Sequence, residues 1–371
     1  MVVTRAYRKD LAGEFFATVR QDRLLYALVA IYAVLGGAYV SSRTGFSLDA
    51  YQVYGSLWLK NYLLIFPIAL FGAGAVRIVL RLDQRRTLAF RHMFSARRMA
   101  HFFAGTLLIF ALWPFQATFT SIKNALSING FLYDRVQADI DKLIHFNTDP
   151  WQLLFWLTDS RAFLYIVEVN YMVVWFVLCF GILYWVAVSP NTGGFRVRYI
   201  VSFMLVWIVV GNLLASAYIS AGPVYYGHVT GDFARFGEQL ALLARNEGHF
   251  NAAVNYQNYL WLLHENDVTG LGSGISAFPS VHVALTMLNA LFVYEFSRRL
   301  GWAFFAYTAF IVFSSVYLAW HYAIDGYASI AVTLVIYYAV RYLPAVRPVF
   351  PTRKPSDAHA GAVRRETTAG R

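Results

Sequence analysis

The chain has 371 residues, of which 58% are hydrophobic and 18% aromatic while only 14% are charged. A soluble domain of this size cannot hide that much apolar surface, so composition excludes an ordinary water-soluble protein and points to a lipid bilayer as the solvent. The net charge of +11 would suit nucleic acid if the basic residues formed one patch, but they follow the hydrophobic runs instead, and no nucleic-acid partner is expected.

A hydrocarbon layer of ~30 Å needs about 20 mostly apolar residues per helix. Runs of this kind predict eight spans, at 24–40, 61–80, 99–118, 163–188, 199–220, 280–296, 302–320 and 326–343. The first is not a cleavable leader, because Tyr39, Val40 and the polar residues after them offer no small-residue cleavage site and further spans follow. With the N-terminus in the cytoplasm, the connections on that side hold Arg77, Arg81, Arg85, Arg86, Arg91, Arg97 and Arg98, then Arg196 and Arg198, then Arg298 and Arg299. The opposite side keeps only Arg43, Lys60, Lys123, Arg135, Lys142, Arg161, Arg235 and Arg245. This asymmetry predicts a multi-pass protein with both termini cytoplasmic, as in a bacterial inner membrane.

The fold class expected is therefore an all-α integral membrane protein of about eight transmembrane helices. Residues 1–98 form an N-terminal segment with two spans and a basic cytoplasmic loop, 99–345 a transmembrane core, and 346–371 a disordered cytoplasmic tail with no apolar stripe. Cys179 is the only cysteine and falls within a span, so no disulfide framework exists. Two outer connections are long, at 119–162 and 221–279. The first carries Val136, Ile140, Leu143 and Ile144 at helical spacing with Asp139, Asp141 and Lys142 opposite; the second carries Leu240, Leu243, Tyr256, Tyr259, Leu260 and Trp261. Both predict amphipathic helices at the bilayer interface, acting as lids over the bundle or as contacts for a lipid substrate.

The chemistry is found by asking which ionisable residues lie at span ends on one side. The sixth span begins after Pro279 and Ser280, so His282 falls in its first turn at the outer surface. The seventh emerges at Trp320-His321, and the turn into the eighth carries Asp325. Span order alone brings His282, His321 and Asp325 to one face, and ionisable groups beside hydrocarbon usually face a cavity or a partner. Ser280 at a helix start, with Ser276 and Gly274 in the small-residue run before it, forms a candidate phosphate cradle, because helix N-termini present unpaired N–H groups and a positive dipole end. Asp325, four residues after His321, is placed to accept a hydrogen bond from one ring nitrogen and leave the other free to attack phosphorus. His282 would then protonate the departing oxygen. Elsewhere, Glu168 is expected to pair with an outer arginine, and Glu295 with Arg298 or Arg299 along its helix.

The segments Phe278-Pro279-Ser280-Val281-His282 and Tyr317 to Asp325 (YLAWHYAID) resemble the second and third motifs of the type 2 phosphatidic acid phosphatase superfamily. Within it the chain is similar to the inositol phosphorylceramide synthase branch, over roughly 199–343. The resemblance implies a six-helix core in the C-terminal part, a nucleophilic His321 oriented by Asp325, His282 as acid, a phospholipid or other lipid phosphate as substrate, and no obligatory metal or other cofactor. Two departures stand out. Ser315 occupies the position six residues before the nucleophile where the superfamily has an arginine, and the K-x6-R-P motif is missing, since Arg347-Pro348 lies in the cytoplasmic tail without a matching lysine. Residues 220–226, SAGPVYY, stand where the synthase branch has a Pro-rich aromatic segment, either lining the site or forming a turn with interfacial tyrosines.

Transfer of a phospho-headgroup from one lipid to another is the leading expectation, with water as acceptor the alternative. A transporter using the two histidines and the aspartate as a proton site is the reading from another class. It fits less well because the cluster lies at one surface and the two halves of the chain do not match.

Overall fold

The computed structural model describes residues 2–45, 47–82, 84–157, 160–192 and 195–343. The tail expected to be disordered, 346–371, lies outside the described residues. Among them the chain is helical with no strand, as a bilayer requires of a bundle whose backbone groups must be satisfied internally.

Helix α1 (Val2–Gln21) packs along α6 and turns at Asp22 into α2 (Arg23–Thr44). Asp22 is fully buried and bonded by Arg196 at 2.9 Å, which ties this turn to the start of α11. Helix α3 (Asp49–Leu59) passes through a π-turn at Lys60–Ile65 into α4 (Phe66–Arg81), making one rod over Asp49–Arg81. This rod begins twelve residues before the predicted span at 61, because Ala50, Tyr54, Trp58 and Tyr62, spaced by four, bury one stripe, and Trp58 Nε1–H donates to the Ile109 carbonyl at 2.7 Å. Lys60 therefore sits within the rod. A short α5 (Arg86–Met93) leads into α6 (Ala96–Leu126), which runs through Pro114 and two turns past the predicted end at 118, since Phe119, Ile122, Ala125 and Leu126 keep a buried stripe. At Gly105 the helix meets α10 so closely that a Cβ would lie 2.2 Å from the Ala187 carbonyl oxygen.

Helices α7 (Asp134–Ile144) and α8 (Pro150–Leu157) fill the first long connection. Helix α7 forms where expected, with part of its acidic side turned into the bundle. Asp134, Gln137, Ala138 and Asp141 are buried, while Val136, Ile140, Leu143 and Ile144 point outward. Helix α9 (Arg161–Val169) continues through a π-turn into α10 (Trp175–Val188), and α11 (Arg196–Ile208) through another into α12 (Ala215–Ala217). The second connection holds α13 (Tyr226–Thr230), α14 (Gly237–Leu243) and α15 (Ala253–Glu265), broken between the last two at 244–252.

Helices α16 (Val281–Phe296), α17 (Arg298–Tyr317) and α18 (Ala323–Tyr342) complete the bundle. Seven rods among the described residues are long and apolar enough to cross a membrane. The sixth predicted span, α16, is the one left out of these seven: it has only 16 residues, or ~24 Å at 1.5 Å per residue. It is buried along most of its length and packs against α10, α11, α17 and α18, so it is the centre of the bundle rather than a lipid-facing span. Two carboxylates are spent differently than expected. Glu295 joins Arg198 and Tyr337 across three helices and not its own neighbours. Glu168, fully buried, accepts from Asn246 Nδ2 at 3.0 Å and from the Ala253 N–H at 2.9 Å, so it anchors the α14–α15 lid instead of an arginine.

Candidate active site

The α17–α18 turn is built on backbone. Helix α17 ends at Tyr317, Ala319 adopts a left-handed φ of 59°, and the N–H groups of Trp320 and His321 both donate to the Ser315 carbonyl, at 3.0 and 3.2 Å. Asp325, in the first turn of α18, then accepts on one oxygen from His321 Nδ1 at 3.2 Å and from the Tyr322 N–H at 3.1 Å. Its other oxygen is buried without a partner among the described residues. Nδ1 thus faces the carboxylate, which leaves Nε2 as the nitrogen available to a substrate.

On the facing element, Ser280 caps α16, its Oγ accepting from the Val283 N–H at 3.4 Å. The His282 ring stacks on Tyr171 at 4.6 Å and 8° and on Trp175 at 3.9 Å and 29°. Trp175 Nε1–H also donates to the His282 carbonyl at 3.1 Å. Both rings come from the π-turn junction of α9 and α10, and together they fix the imidazole plane. The two histidine elements are tied by the Ser280 N–H, which donates to the Asp325 carbonyl at 3.4 Å.

His282 and His321 line a single cavity of about 260 Å³. Of the three candidate phosphate-binding residues, Ser276 and Gly274 also line it. Ser280 is fully buried, outside the lining, and serves as the α16 cap. The segment 220–226 closes one wall through Ala221 and Tyr225. It is laced in place by the Ala277 N–H donating to the Ser220 carbonyl at 2.8 Å and the Val224 N–H donating to the Ala319 carbonyl at 3.0 Å. Gly222 adopts φ 94°, and a Cβ there would lie 2.7 Å from the Trp320 carbonyl oxygen, so only glycine fits.

Sequence spacing could not choose among the outer cations, and the fold does. Lys123, carried in by the unexpected last turns of α6, lines the cavity. Arg235 is spent on Asp139 and Asp149 at 2.6 and 2.9 Å, and Arg135 donates to the Thr230 carbonyl at 2.5 Å. The apolar spacing of Phe119, Ile122, Ala125 and Leu126 was the signal that the helix continues far enough to deliver it.

The acidic face of α7 supports the site from behind. Asp134 accepts from the N–H groups of Ala221 and Gly222 at 2.8 and 2.9 Å and from the Tyr322 hydroxyl at 2.8 Å. Asp141 accepts from the N–H groups of Ala323 and Ile324 at 2.9 and 3.1 Å, capping α18. Burial pushes both carboxyls above the usual range, against the pull of those donors.

Fold and cavity together define an integral membrane protein with a site suited to phosphate esters: an oriented imidazole, a second imidazole and a lysine around one small space. A family model described as the PAP2 superfamily matches residues 137–339, more than half of the chain. The chain belongs to the PAP2 superfamily, and its activity is of the phosphatase and phosphotransferase type on lipid phosphates. No individual curated protein and no solved structure matches it.

Proposed function

We propose that the protein transfers a phospho-headgroup from a lipid donor to a hydroxyl acceptor through a phosphohistidine on His321. The observation that carries this is the 3.2 Å contact of His321 Nδ1 with buried Asp325, beside His282 and Lys123 on one cavity. Asp325 holds the proton on Nδ1, so Nε2 attacks phosphorus with its lone pair. The P–O bond to the lipid breaks, and His282 gives its proton to the departing oxygen. In the second half His282 takes the proton of the acceptor hydroxyl, whose oxygen attacks phosphorus; the P–N bond breaks and His321 is restored. Lys123 offsets the anionic charge of the phosphoryl oxygens, together with Ser276 and the backbone around Gly274; Ser280 contributes by capping the helix whose first N–H groups face the phosphate. Transfer is favoured over hydrolysis by the likeness of the segments 278–282 and 317–325 to the inositol phosphorylceramide synthase branch. The positive-inside distribution supports a catalytic face on the non-cytoplasmic side, with both termini in the cytoplasm, as for a protein of a bacterial inner membrane.

The test is trapping by an alkaline SDS quench with lipid labelled in its phosphate. Wild type should accumulate a base-stable, acid-labile phosphoenzyme when acceptor is withheld, and His321→Ala should form none. Wild-type turnover in His321→Ala would remove the proposed nucleophile.

A further inference from the structure

Helix α17 delivers His321, so the way its last turn is held sets where the imidazole lies. The last carbonyls of an α-helix have no partner within the helix, and such ends are commonly closed by a left-handed glycine or by nearby basic side chains. Helix α17 has neither: no basic residue lies in its last turn, and the left-handed position is filled by Ala319 at φ 59°. Its carbonyls are met from other elements instead. Gln239 Nε2 donates to the carbonyls of Val316 and Tyr317 at 2.7 and 3.3 Å, and Gln257 Nε2 donates to that of Leu318 at 2.8 Å. The Val224 N–H closes the row by donating to the Ala319 carbonyl at 3.0 Å. The backbone is thereby fixed up to two residues before His321.

Both glutamines come from the lid. Gln239 lies in α14 and Gln257 in α15, and they are 0% and 2% exposed. Turning the Gln239 amide over would set its oxygen against two carbonyl oxygens, so the nitrogen faces them. Buried as they are, these bonds are expensive to lose, because a carbonyl stripped of its donor inside the protein has no water to replace it. The lid end of the clamp is itself anchored. Glu168 accepts from the Ala253 N–H at the start of α15, and the Tyr225 hydroxyl donates to the Gln257 carbonyl at 2.8 Å. Tyr225 lines the catalytic cavity, as do Tyr256 and Leu260 of α15. One stretch of α15 therefore walls the substrate space with Tyr256 and Leu260 and grips the nucleophile turn with Gln257.

We propose that Gln239 and Gln257 are positioning residues for His321, which makes the lid part of the catalytic apparatus as well as a cover. The proposal rests on the reading of His321 as nucleophile and deepens it. Asp141 holds the backbone that follows His321, and the glutamines hold the backbone that precedes it. Without them the turn relaxes about left-handed Ala319 and the attack of Nε2 loses its line, while the cavity that binds the lipid keeps its walls. A displacement of about 1 Å at a reacting atom can cost about 10²-fold in rate.

Full-length protein in detergent micelles would be mixed with phosphatidic acid labelled in its phosphate and stopped at short times in alkaline SDS. The variants are Gln257→Met and Gln239→Met, which keep side-chain length and remove the donor, with Leu262→Ala, exposed on α15, as the control. Each glutamine variant should lower the rate constant of phosphoenzyme formation by roughly tenfold or more, the worth of one buried hydrogen bond. Burst amplitude should be retained and KM stay within about twofold of wild type, and Leu262→Ala should match wild type throughout. Amplitude separates alignment from folding, because misfolded molecules lower it and leave the rate constant of the folded ones intact. An unchanged rate constant, a loss carried only by amplitude, or a rise in KM alone would overturn the proposal. If wild type turns phosphatidic acid over with no base-stable phosphoenzyme, while both glutamine variants slow that turnover at unchanged KM, the phosphohistidine reading fails and the positioning role stands.

Discussion

Asp325→Asn separates orientation of the nucleophile from stability of the fold. The carboxylate oxygen shared by His321 Nδ1 and the Tyr322 N–H, at 3.2 and 3.1 Å, is replaced by an amide of nearly the same shape. The amide oxygen can still cap the helix, so stability should change by less than about 1 kcal/mol, as Asp and Asn serve nearly equally at helix starts. What is lost is charge, and with it the preference for a proton on Nδ1. Hydrogen bonds to charged groups are worth about 1.5–3 kcal/mol, so loss of this one at the weak end of that range gives a lower limit near ~1.5 kcal/mol. As His321 gains positive character during attack, a unit-charge pair at 3.2 Å with an effective dielectric of about 20 gives an upper limit of about 5 kcal/mol. Phosphoenzyme formation should therefore slow by roughly ten- to several-thousand-fold, with KM nearly unchanged, because the residue sits behind the histidine and not on the cavity lining. Rapid-quench measurement of the phosphoenzyme burst, beside thermal unfolding of the same preparation, checks both halves. A burst rate within twofold of wild type, or a loss explained entirely by unfolding, would refute the orienting role.

Lys123→Met keeps the stem and its packing while removing the charge, and kcat/KM for a lipid phosphate should fall by about 10²-fold, the worth of one charge-assisted contact; steady-state assays with phosphatidic acid would read it. Ser315→Ala should stay within about twofold of wild-type activity. Its Oγ donates to the Val312 carbonyl at 2.8 Å, and the backbone carbonyl that holds Trp320 and His321 is retained. Burial pushes the Asp22 carboxyl from 3.8 up to about 6, with Arg196 pulling the other way. The folded chain therefore holds this proton more tightly than the unfolded one, and the associated stability, complete below about pH 4, is lost as pH rises through about 6. Asp22→Asn should flatten the melting temperature of detergent-solubilised protein across that window; an unchanged slope would count against it.

The spans were legible because a bilayer demands long apolar runs, and the common end of His282, His321 and Asp325 followed from counting crossings. Register within an apolar run carries no such signal. The π-turns at Lys60–Ile65, Asn170–Val174 and Val209–Leu214 fall where nearly every residue is apolar, and no periodicity marks the extra residue. Lys123 could not be singled out among the outer cations because Ser121, Lys123 and Asn124 make the outer end of α6 look like loop, although Phe119, Ile122, Ala125 and Leu126 keep a helical stripe. Helix α1 was missed for a related reason: its buried positions are few, Thr18 and the Asp22 turn among them, and its exposed surface mixes charged residues with Tyr7 and Phe16.

Helix α7 shows how amphipathicity can be legible while the partners of its two faces are not. In water the apolar side of such a helix turns inward; beside a bilayer the outer side can be apolar at no cost, and an apolar outward face suits the interface. The inward carboxylates then need donors, and the site supplies them. Asp141 takes the first N–H groups of α18, the positive end of that helix, while Asp134 gathers Ala221, Gly222 and Tyr322. These partners flank His321 and Asp325 on both sides. The geometry of the His321 turn is therefore held by two buried acids on a helix whose Val136, Ile140 and Leu143 are exposed. The outward apolar side of α7 and the seating of the His321 turn are in this way parts of one packing arrangement, with the inward acids as the clamp behind the site.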